Sequence, residues 1–470
     1  MMVYNTLTKR KEPFHPLRPG EVRIYVCGPT VYDYIHIGNA RSFVAFDVVR
    51  RYLEYKGFKV KFVSNITDVD DKTIRRAKEL NITLQQLGEL YTEAYFEDLK
   101  ALRVKKADVN PRATQHIGEM IALIEKLIEK GYAYVVEGNV YYDVTKFPEY
   151  GKLSGVKVES LIKGARVEVD PNKRNPADFA LWKSRKPGEP FWYSPWGPGR
   201  PGWHIECSVM SSIYLGETFD IHAGGKDLIF PHHENEIAQS EAASGKPLAR
   251  YWLHNEWLTI NGEKMSKSLG NFITVRDAVS KYGAQTLRMF LISAHYRSPI
   301  DFNERTIEQA RRNLEKIRSS IQAFRRLREL ETQVEGEKEL LAHVEDLRRR
   351  FEEAMDDDFN TPKALAAIFD FISELNEFTG SREGVSRETK GRVLKVIEEL
   401  LDGVLGIETK VEEKEVQGLS PKLVELILEV RNVLRRRRDY ETADFIRSKL
   451  EELGFVIEDS ASGTRWKFKG

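Results

Sequence analysis

Cysteine is almost absent from this 470-residue chain; only Cys27 and Cys207 occur. A disulfide framework is thereby excluded and a reducing compartment favoured. A run of 18 apolar residues is also missing, which excludes a membrane-spanning helix of ordinary length. The opening MMVYNTLTKRKEPF lacks the apolar core of a signal peptide, so a cytoplasmic protein with no membrane partner is expected. Net charge is lacking too. Lys+Arg 73 against Asp+Glu 72 leaves +1, so any polyanion has to be met by a local basic patch. GxxxxGK[ST] does not occur, which excludes a P-loop nucleotide site. What is present in quantity is apolar residue, at 41%, enough to bury several cores. The length suggests about three domains at roughly 150 residues each.

Residues 22–27 (VRIYVC) read as a short buried strand. The turn GPTVYDYIHIGN follows, then a helical stretch from about Ala40 to Tyr55, then the strand KVKFVSN at 59–65. Strand, turn, helix, strand is a βαβ unit and predicts a parallel sheet. Ligands of such sheets sit beyond the carboxyl ends of the strands, where Cys27, His36 and the loop 65–71 fall. A helix is expected over 111–131, with Pro111 near its start and Gly131 past its end. YAYVV and VYYDV around the turn EGN predict a hairpin, read as an insertion between two halves of the sheet. Six of the seven tryptophans lie between 182 and 257, which predicts a large aromatic cluster. From about 305 apolar residues step by three and four (Ile307, Ala310, Leu314, Ile317, Ile321, Phe324), the mark of a helical bundle. Residues 407–420 are charged and poorly periodic, which suits a linker, and a small domain follows at 421–470.

Either cysteine alone is ordinarily a small buried hydrophobe. Their surroundings suggest more. Cys27 ends a strand. Cys207 follows Trp203-His204-Ile205-Glu206, and Pro231-His232-His233-Glu234-Asn235-Glu236 stands at an expected helix start. On a helix, positions four apart share a face, so His232 and Glu236 point the same way, whereas His233 and Glu234 converge less well. Two thiolates, an imidazole and a carboxylate make four candidate zinc ligands: Cys27, Cys207, His232 and Glu236. The other reading of HHENE is a helix N-terminus with carboxylates well placed on its dipole.

KMSKS (264–268) offers two lysines around small polar residues on a loop that can close over phosphates, although a surface KxxK is by itself ordinary solvated charge. HIGN (36–39) stands at the turn before a helix. There a histidine can donate to phosphate oxygens, Gly38 permits close approach of a nucleotide, and the helix N-terminus favours anions.

Taken together, HIGN and KMSKS resemble the two signature motifs of class I aminoacyl-tRNA synthetases. YVCGPTVYDYIHIGNARSFVAFD, NITDVDDK, RPGWHIECS, FDIHAGGKDLIFPHHENEIAQS and MDDDFNTP resemble the cysteinyl-tRNA synthetases at the same relative positions, from Tyr4 to about Trp466. The resemblance implies an α/β fold: a Rossmann-like parallel-sheet catalytic domain in two halves (1–110 and 166–260) around an inserted connective domain (111–165). A KMSKS-containing junction (261–304), a helical bundle (305–405), a linker (406–420) and a C-terminal anticodon-binding domain (421–470) complete it. It implies zinc on Cys27, Cys207, His232 and Glu236, one ion per chain, and cysteine, ATP with Mg2+ and tRNA(Cys) as partners of a monomer. His36 and Asn39 are implied as catalytic with Lys264 and Lys267; Asn39 stands where the family often has a second histidine and can still donate a hydrogen bond. ATP is implied at Thr30, His36, Gly38, Asn39 and Lys267, and cysteine at Gly28, Thr67 and Trp203.

The implied reaction activates cysteine as an adenylate and transfers it to the terminal adenosine of tRNA(Cys), with zinc selecting the thiolate. His204 and His222 are expected to support the ligands. For tRNA, the run Arg435-Arg436-Arg437-Arg438 is a compact basic patch in a chain without net charge, and Trp466 is placed either to stack a base or to cap the small domain. Two rivals remain. A cysteine ligase of mycothiol synthesis shares the adenylation site, but such ligases lack the complete C-terminal region. A silent tRNA-binding paralogue has no physical reason to keep HIGN, KMSKS and all four ligands together.

Overall fold

The computed structural model describes residues 1–159, 170–265, 270–409, 421–460 and 463–468. Lys267 and most of the expected linker lie outside the described residues. The chain forms two compact units, Met1–Thr409 and Lys410–Gly470. Among the described residues no helix is long and apolar enough to cross a membrane.

The first unit is built on a parallel sheet in the order Ala249–Asn255, Phe219–Gly225, Glu21–Val26, Lys59–Ser64. The strand Glu21–Val26 is buried at five of its six positions, as a central parallel strand covered on both faces must be. Residues 108–112 continue the sheet beyond Lys59–Ser64: Ser64 N donates to Val109 O (3.1 Å) and Ile66 N to Pro111 O (2.8 Å). In chain order the sheet therefore runs 3-2-1-4-5, the doubly wound arrangement. Its crevice opens where Glu21–Val26 meets Phe219–Gly225. Cys27 and the Gly224-Gly225 end of the neighbouring strand sit at that opening. The helix Ile37–Tyr55 follows the first strand with His36 as its N-cap.

Between the sheet's halves lie the helix Ile117–Glu129 and an antiparallel sheet of Ala133–Val136, Asn139–Tyr142, Phe179–Ser184 and Gly199–Pro201. The helix is shorter than the expected 111–131. Pro111 belongs to the sheet edge through Ile66, and a tight turn at Ala113–Gln115 precedes the helix. The antiparallel strands lie on both sides of residue 165, because Phe179–Ser184 pairs with Asn139–Tyr142. Four of the tryptophans share one core: Trp182 and Trp252 lie in it with Trp192 and Trp196 packed against it, Trp182 edge-on to Trp196 and Trp252 stacked on His222, whereas Trp203 stacks on His232 and Trp257 is half exposed.

Helices Glu304–Arg326, Glu337–Asp356, Thr361–Gly380 and Arg387–Ile397 form the bundle, and the six apolar positions named from the sequence on the first of them are all buried. Buried Arg288 ties this part to the catalytic half. Its guanidinium donates to Asp47 Oδ2 (2.6 Å), Leu102 O (2.7 Å) and Leu405 O (2.7 Å). Arg288→Met is expected to destabilise the first unit by about 1–3 kcal/mol, because it leaves the Leu102 and Leu405 carbonyls unpaired and removes one of the two guanidinium groups on the buried Asp47 carboxylate, Arg51 at 2.7 Å being the other. A urea midpoint equal to that of the unaltered protein would contradict this.

The second unit packs the helices Pro421–Arg436 and Tyr440–Glu452 on the hairpin of Phe455–Ser460 and Gly463–Phe468. Buried Arg431 makes two bonds to Asp459 (3.0 and 2.9 Å), and Arg435 adds a third at 2.8 Å. These partners, Arg431 foremost, hold the Asp459 carboxyl well below the usual range.

Candidate active site and metal centre

A cleft of about 380 Å³ lies at the carboxyl ends of the two central strands. Its wall includes Gly28, Thr30, His36, Gly38, Asn39, Trp203 and Lys264 of the residues named from sequence, and its floor reaches Cys27. Thus one opening contains the nucleotide constellation and reaches the metal candidates at Cys27.

At the nucleotide end, the N-terminus of Ile37–Tyr55 faces the cleft with no acidic side chain in its first turn. Its partial positive charge suits an anion, although the Ile37 N–H already donates to Ile273 O at 3.1 Å. Asn39 N–H donates to His36 Nδ1 (3.1 Å), and His36 N–H donates to Asn39 Oδ1 (3.2 Å). This is a capping box with histidine in place of serine. Because Nδ1 is the acceptor, the neutral ring carries its proton on Nε2. Asn39 therefore does structural work that the sequence reading assigned wholly to the ligand, leaving its Nδ2 hydrogens for donation. A Cβ on Gly38 would meet His36 Nδ1 at 2.9 Å, so only glycine leaves that ring in place. Lys264 is exposed, with its ammonium 5.6 Å from the Trp257 ring centre.

At the other end, the donor atoms of Cys27, Cys207, His232 and Glu236 all lie within 4.8 Å of one another. Cys27 Sγ is 4.0 Å from Cys207 Sγ and 3.7 Å from Glu236 Oε1, and His232 Nε2 is 3.0 Å from Glu236 Oε1. Zinc bond lengths place tetrahedral donors about 3.3–3.8 Å apart, nitrogen and oxygen at the short end and two sulfurs at the long end. The four donors fit that ion in spacing and in kind. The cysteines come from the sheet's first strand end and from helix Trp203–Leu215. His232 and Glu236 come from the irregular turn Ile229–His233 and the helix Glu234–Ser244.

Burial, with Cys207 close by, pushes the Cys27 thiol well up, and burial raises Cys207 as well. Burial and neighbouring His204 and His222 hold His232 far below the usual histidine range, so it is a neutral imidazole ready to ligate. His222 Nε2 meets the second oxygen of Glu236 at 2.8 Å, and His204 Nδ1 meets His232 Nδ1 at 2.9 Å. Both histidines thus sit directly behind a ligand. Burial also brings His204 down to about 3.

His233 departs from the sequence expectation. Its Nε2 is 3.2 Å from Cys27 Sγ, and its Nδ1 is 2.8 Å from His254 Nε2. Adjacent residues on a helix splay by about 100°, yet Cys27 fits between the two imidazoles. A second donor group, Cys27, His222, His233 and Glu236, results. Glu234 does turn away, as expected, and accepts from Gly151 N (2.9 Å) and Ser154 N (2.7 Å).

Trp203 lies flat on the His232 ring at 4.2 Å, roofing the metal ligands. Thr67 is buried behind the cleft rather than on its wall, and donates to Glu206 Oε2 (2.8 Å). Asn65, which the sequence reading passed over, receives the Gly28 N–H at 2.8 Å and lies 3.7 Å from Cys207 Sγ. A Cβ on Gly28 would fall 1.6 Å from Asn65 O, so this crossing demands glycine. In the second unit Arg436, Arg437 and Arg438 are exposed, Arg435 is ion-paired to Asp459, and Trp466 packs edge-on to Phe455 at 5.6 Å, in the capping position.

The family model of the tRNA synthetases class I (C) catalytic domain matches residues 13–312, and that of the DALR domain matches residues 350–409. A cysteine–tRNA ligase of Carboxydothermus hydrogenoformans is 53% identical over 470 residues, covering 99% of this chain and 100% of that one. One from Thermococcus onnurineus is 51% identical over 469 residues, covering 99% and 98%. Among solved structures, Mycobacterium tuberculosis methionyl-tRNA synthetase in complex with methionyl-adenylate has a TM-score of 0.63 over 87% of this chain and 94% of its own. At 16% identity that is a likeness of fold.

Proposed function

The chain belongs to the class I aminoacyl-tRNA synthetases, among the cysteine–tRNA ligases, and we propose that it activates cysteine with ATP and Mg2+ and transfers the cysteinyl group to the terminal adenosine of tRNA(Cys). The observation that carries this reading is one cleft with two chemically opposite ends. The floor reaches Cys27 of a soft, neutral-imidazole and thiol donor set, and a helix N-terminus capped by His36 forms the wall.

In the first step the substrate carboxylate displaces pyrophosphate from the α-phosphate of ATP. No protein nucleophile is required; the work is positioning and neutralising charge. His36, with its proton fixed on Nε2 by the Asn39 cap, donates to phosphate oxygens, and the positive end of the helix dipole adds to it. Lys264 and Lys267 meet the charge that passes to the leaving pyrophosphate. Cys27, Cys207, His232 and Glu236 would hold a zinc ion, which would supply a Lewis acid that prefers a thiolate to a neutral hydroxyl. Shape alone would separate cysteine from serine only about 10²-fold. Gly28 and Trp203 frame the amino-acid pocket beside these donors, with Thr67 buried behind it. His222 keeps one oxygen of Glu236 occupied so that the other faces Cys27 and His232.

In the second step the acyl group passes to the 2′-hydroxyl of the tRNA. Arg436, Arg437 and Arg438 meet its phosphates, with Arg435 held in reserve by Asp459.

Cysteine-dependent ATP–pyrophosphate exchange followed by charging of tRNA(Cys) transcript tests the reading. Exchange without charging would point to a ligase acting on another amine, and neither activity to a silent tRNA binder. His222→Ala is expected to weaken zinc binding about 10–100-fold by freeing the second oxygen of Glu236. Competition against a chelator measures this, and an unchanged affinity would remove His222 from its role.

A further inference from the structure

Asp358 and Phe359, between two helices of the bundle, lie in the left-handed region at φ of 65° and 55°. Two consecutive non-glycine residues there are strained. Such strain persists only where the surroundings enforce it, and it gathers at working sites. Asp358 is fully buried and is gripped from outside the bundle. Its N–H donates to Met2 O (2.9 Å), and its Oδ1 accepts from Tyr4 N–H (2.8 Å) and from the Tyr296 hydroxyl (2.8 Å). Its Oδ2 accepts from Arg297 Nε (2.6 Å). His295 takes the Arg297 N–H on Nδ1 (3.1 Å), so its Nε2 donates to the Asp358 carbonyl (3.0 Å). Three consecutive side chains, 295–297, thus close on one residue.

The turn they belong to carries part of the cleft wall. The strand Ala249–Asn255 ends one residue before Glu256, so no sheet partner fixes that peptide. The Glu256 N–H donates instead to Tyr296 O (2.8 Å), and its carbonyl accepts from Arg41 Nε (3.1 Å). The same buried guanidinium donates to His295 O (3.1 Å) and to Ser298 O, binding wall and turn together. Glu256 and Trp257 line the cleft at its nucleotide end, where the Lys226 and Lys264 ammonium groups stand 5.4 and 5.6 Å from the Trp257 ring centre.

We propose that Asp358 is a positioning residue for adenylation: by fixing the 295–298 turn it sets the Glu256-Trp257 wall at the nucleotide end of the cleft, and so makes the helical bundle part of the ATP site. The inference rests on the proposed activation of cysteine with ATP. A carboxylate suits the position because three donors converge on it, one of them a guanidinium. The metal candidates are reached from the other end of the cleft, so the substrate cysteine is not served by this wall.

The test uses the full-length, zinc-loaded protein. Calorimetry gives Kd for ATP with Mg2+, and exchange gives KM for ATP and for cysteine. Asp358→Gly keeps a residue at ease in the left-handed region and deletes the carboxylate. It is expected to raise Kd and KM for ATP on the order of tenfold, the size of one hydrogen bond to a charged group. KM for cysteine should stay within about twofold, because its site is remote from the change. Tyr296→Phe removes the hydroxyl link alone and is expected to raise the ATP constants about threefold, as one neutral hydrogen bond would. The double variant should be no worse than Asp358→Gly. Asp358→Asn keeps an oxygen for Tyr296 but turns an amide towards Arg297, and should fall between Asp358→Gly and the unaltered protein. A merely structural Asp358 would lower the melting temperature and leave the ATP constants where they were. That result, an equal rise for cysteine or an additive double variant would each overturn the proposal. Should Asp358→Gly not fold, Tyr296→Phe alone decides, and an unchanged Kd for ATP refutes it. Unaltered protein that binds ATP without cysteine-dependent exchange would remove the proposed function and leave the calorimetric comparison standing.

Discussion

Cys207→Ser is expected to strip zinc from the protein and to lower cysteine-dependent exchange by at least about 10³-fold, the several kcal/mol that a Lewis acid contributes to charge stabilisation. The replacement removes one of two thiolates and offers a hydroxyl that is neutral at pH 7 in its place. The fold should survive. Cys207 sits inside the helix Trp203–Leu215, serine is of similar size, and the Asn65 oxygen 3.7 Å from the sulfur can accept a hydroxyl. Metal analysis per chain and a thermal melt separate loss of zinc from loss of structure. The outcome also discriminates between the two donor groups. The second one, with His222 and His233, does not include Cys207. Full zinc and full exchange in Cys207→Ser would therefore refute the set with Cys207, His232 and both thiolates, and His233→Ala would become the decisive variant.

How far the sequence carries can be judged from these same residues. The βαβ unit, the bundle and the turn at Glu137-Gly138 follow from short-range pattern, because helix and strand periods are local properties. The pairing of His232 with Glu236 follows from helix geometry even though the regular helix begins only at Glu234. Resemblance supplied what local pattern could not: that Cys27 and Cys207, 4.0 Å apart in space, belong together. His233 was missed because a helix-face argument describes one element and says nothing of a strand end, here that of Cys27, inserted between neighbouring side chains. Asn65 was missed for a related reason. It lies in a hydrogen-bond chain from Gly28 through Thr67 to Glu206, four residues from three segments, which leaves no period and no spacing. The capping box of His36 and Asn39 was legible in principle, since cap and third helical residue are three apart. It went unread because histidine is an uncommon cap.

That cap makes His36 the second informative position, since one side chain holds the helix start and is proposed to donate to phosphate. Two effects should therefore appear in His36→Ala. Loss of the phosphate donor is expected to slow adenylate formation about 10²–10³-fold, as removal of a single preorganised donor does. Loss of the cap is expected to reduce stability by about 1 kcal/mol. His36→Asn separates them. Asparagine is among the best N-caps and its oxygen can receive the Asn39 N–H, so stability should return, but its short amide cannot reach where Nε2 stood. Pre-steady-state adenylation and urea unfolding on the two variants give the comparison. If His36→Asn recovers the rate along with the stability, His36 serves only to hold the helix, and the charge on the phosphates is met by the helix dipole and the lysines alone. If the rate stays low in a protein as stable as the original, the donor on Nε2 is the part that matters, and the fixed tautomer is what makes a neutral histidine suffice there.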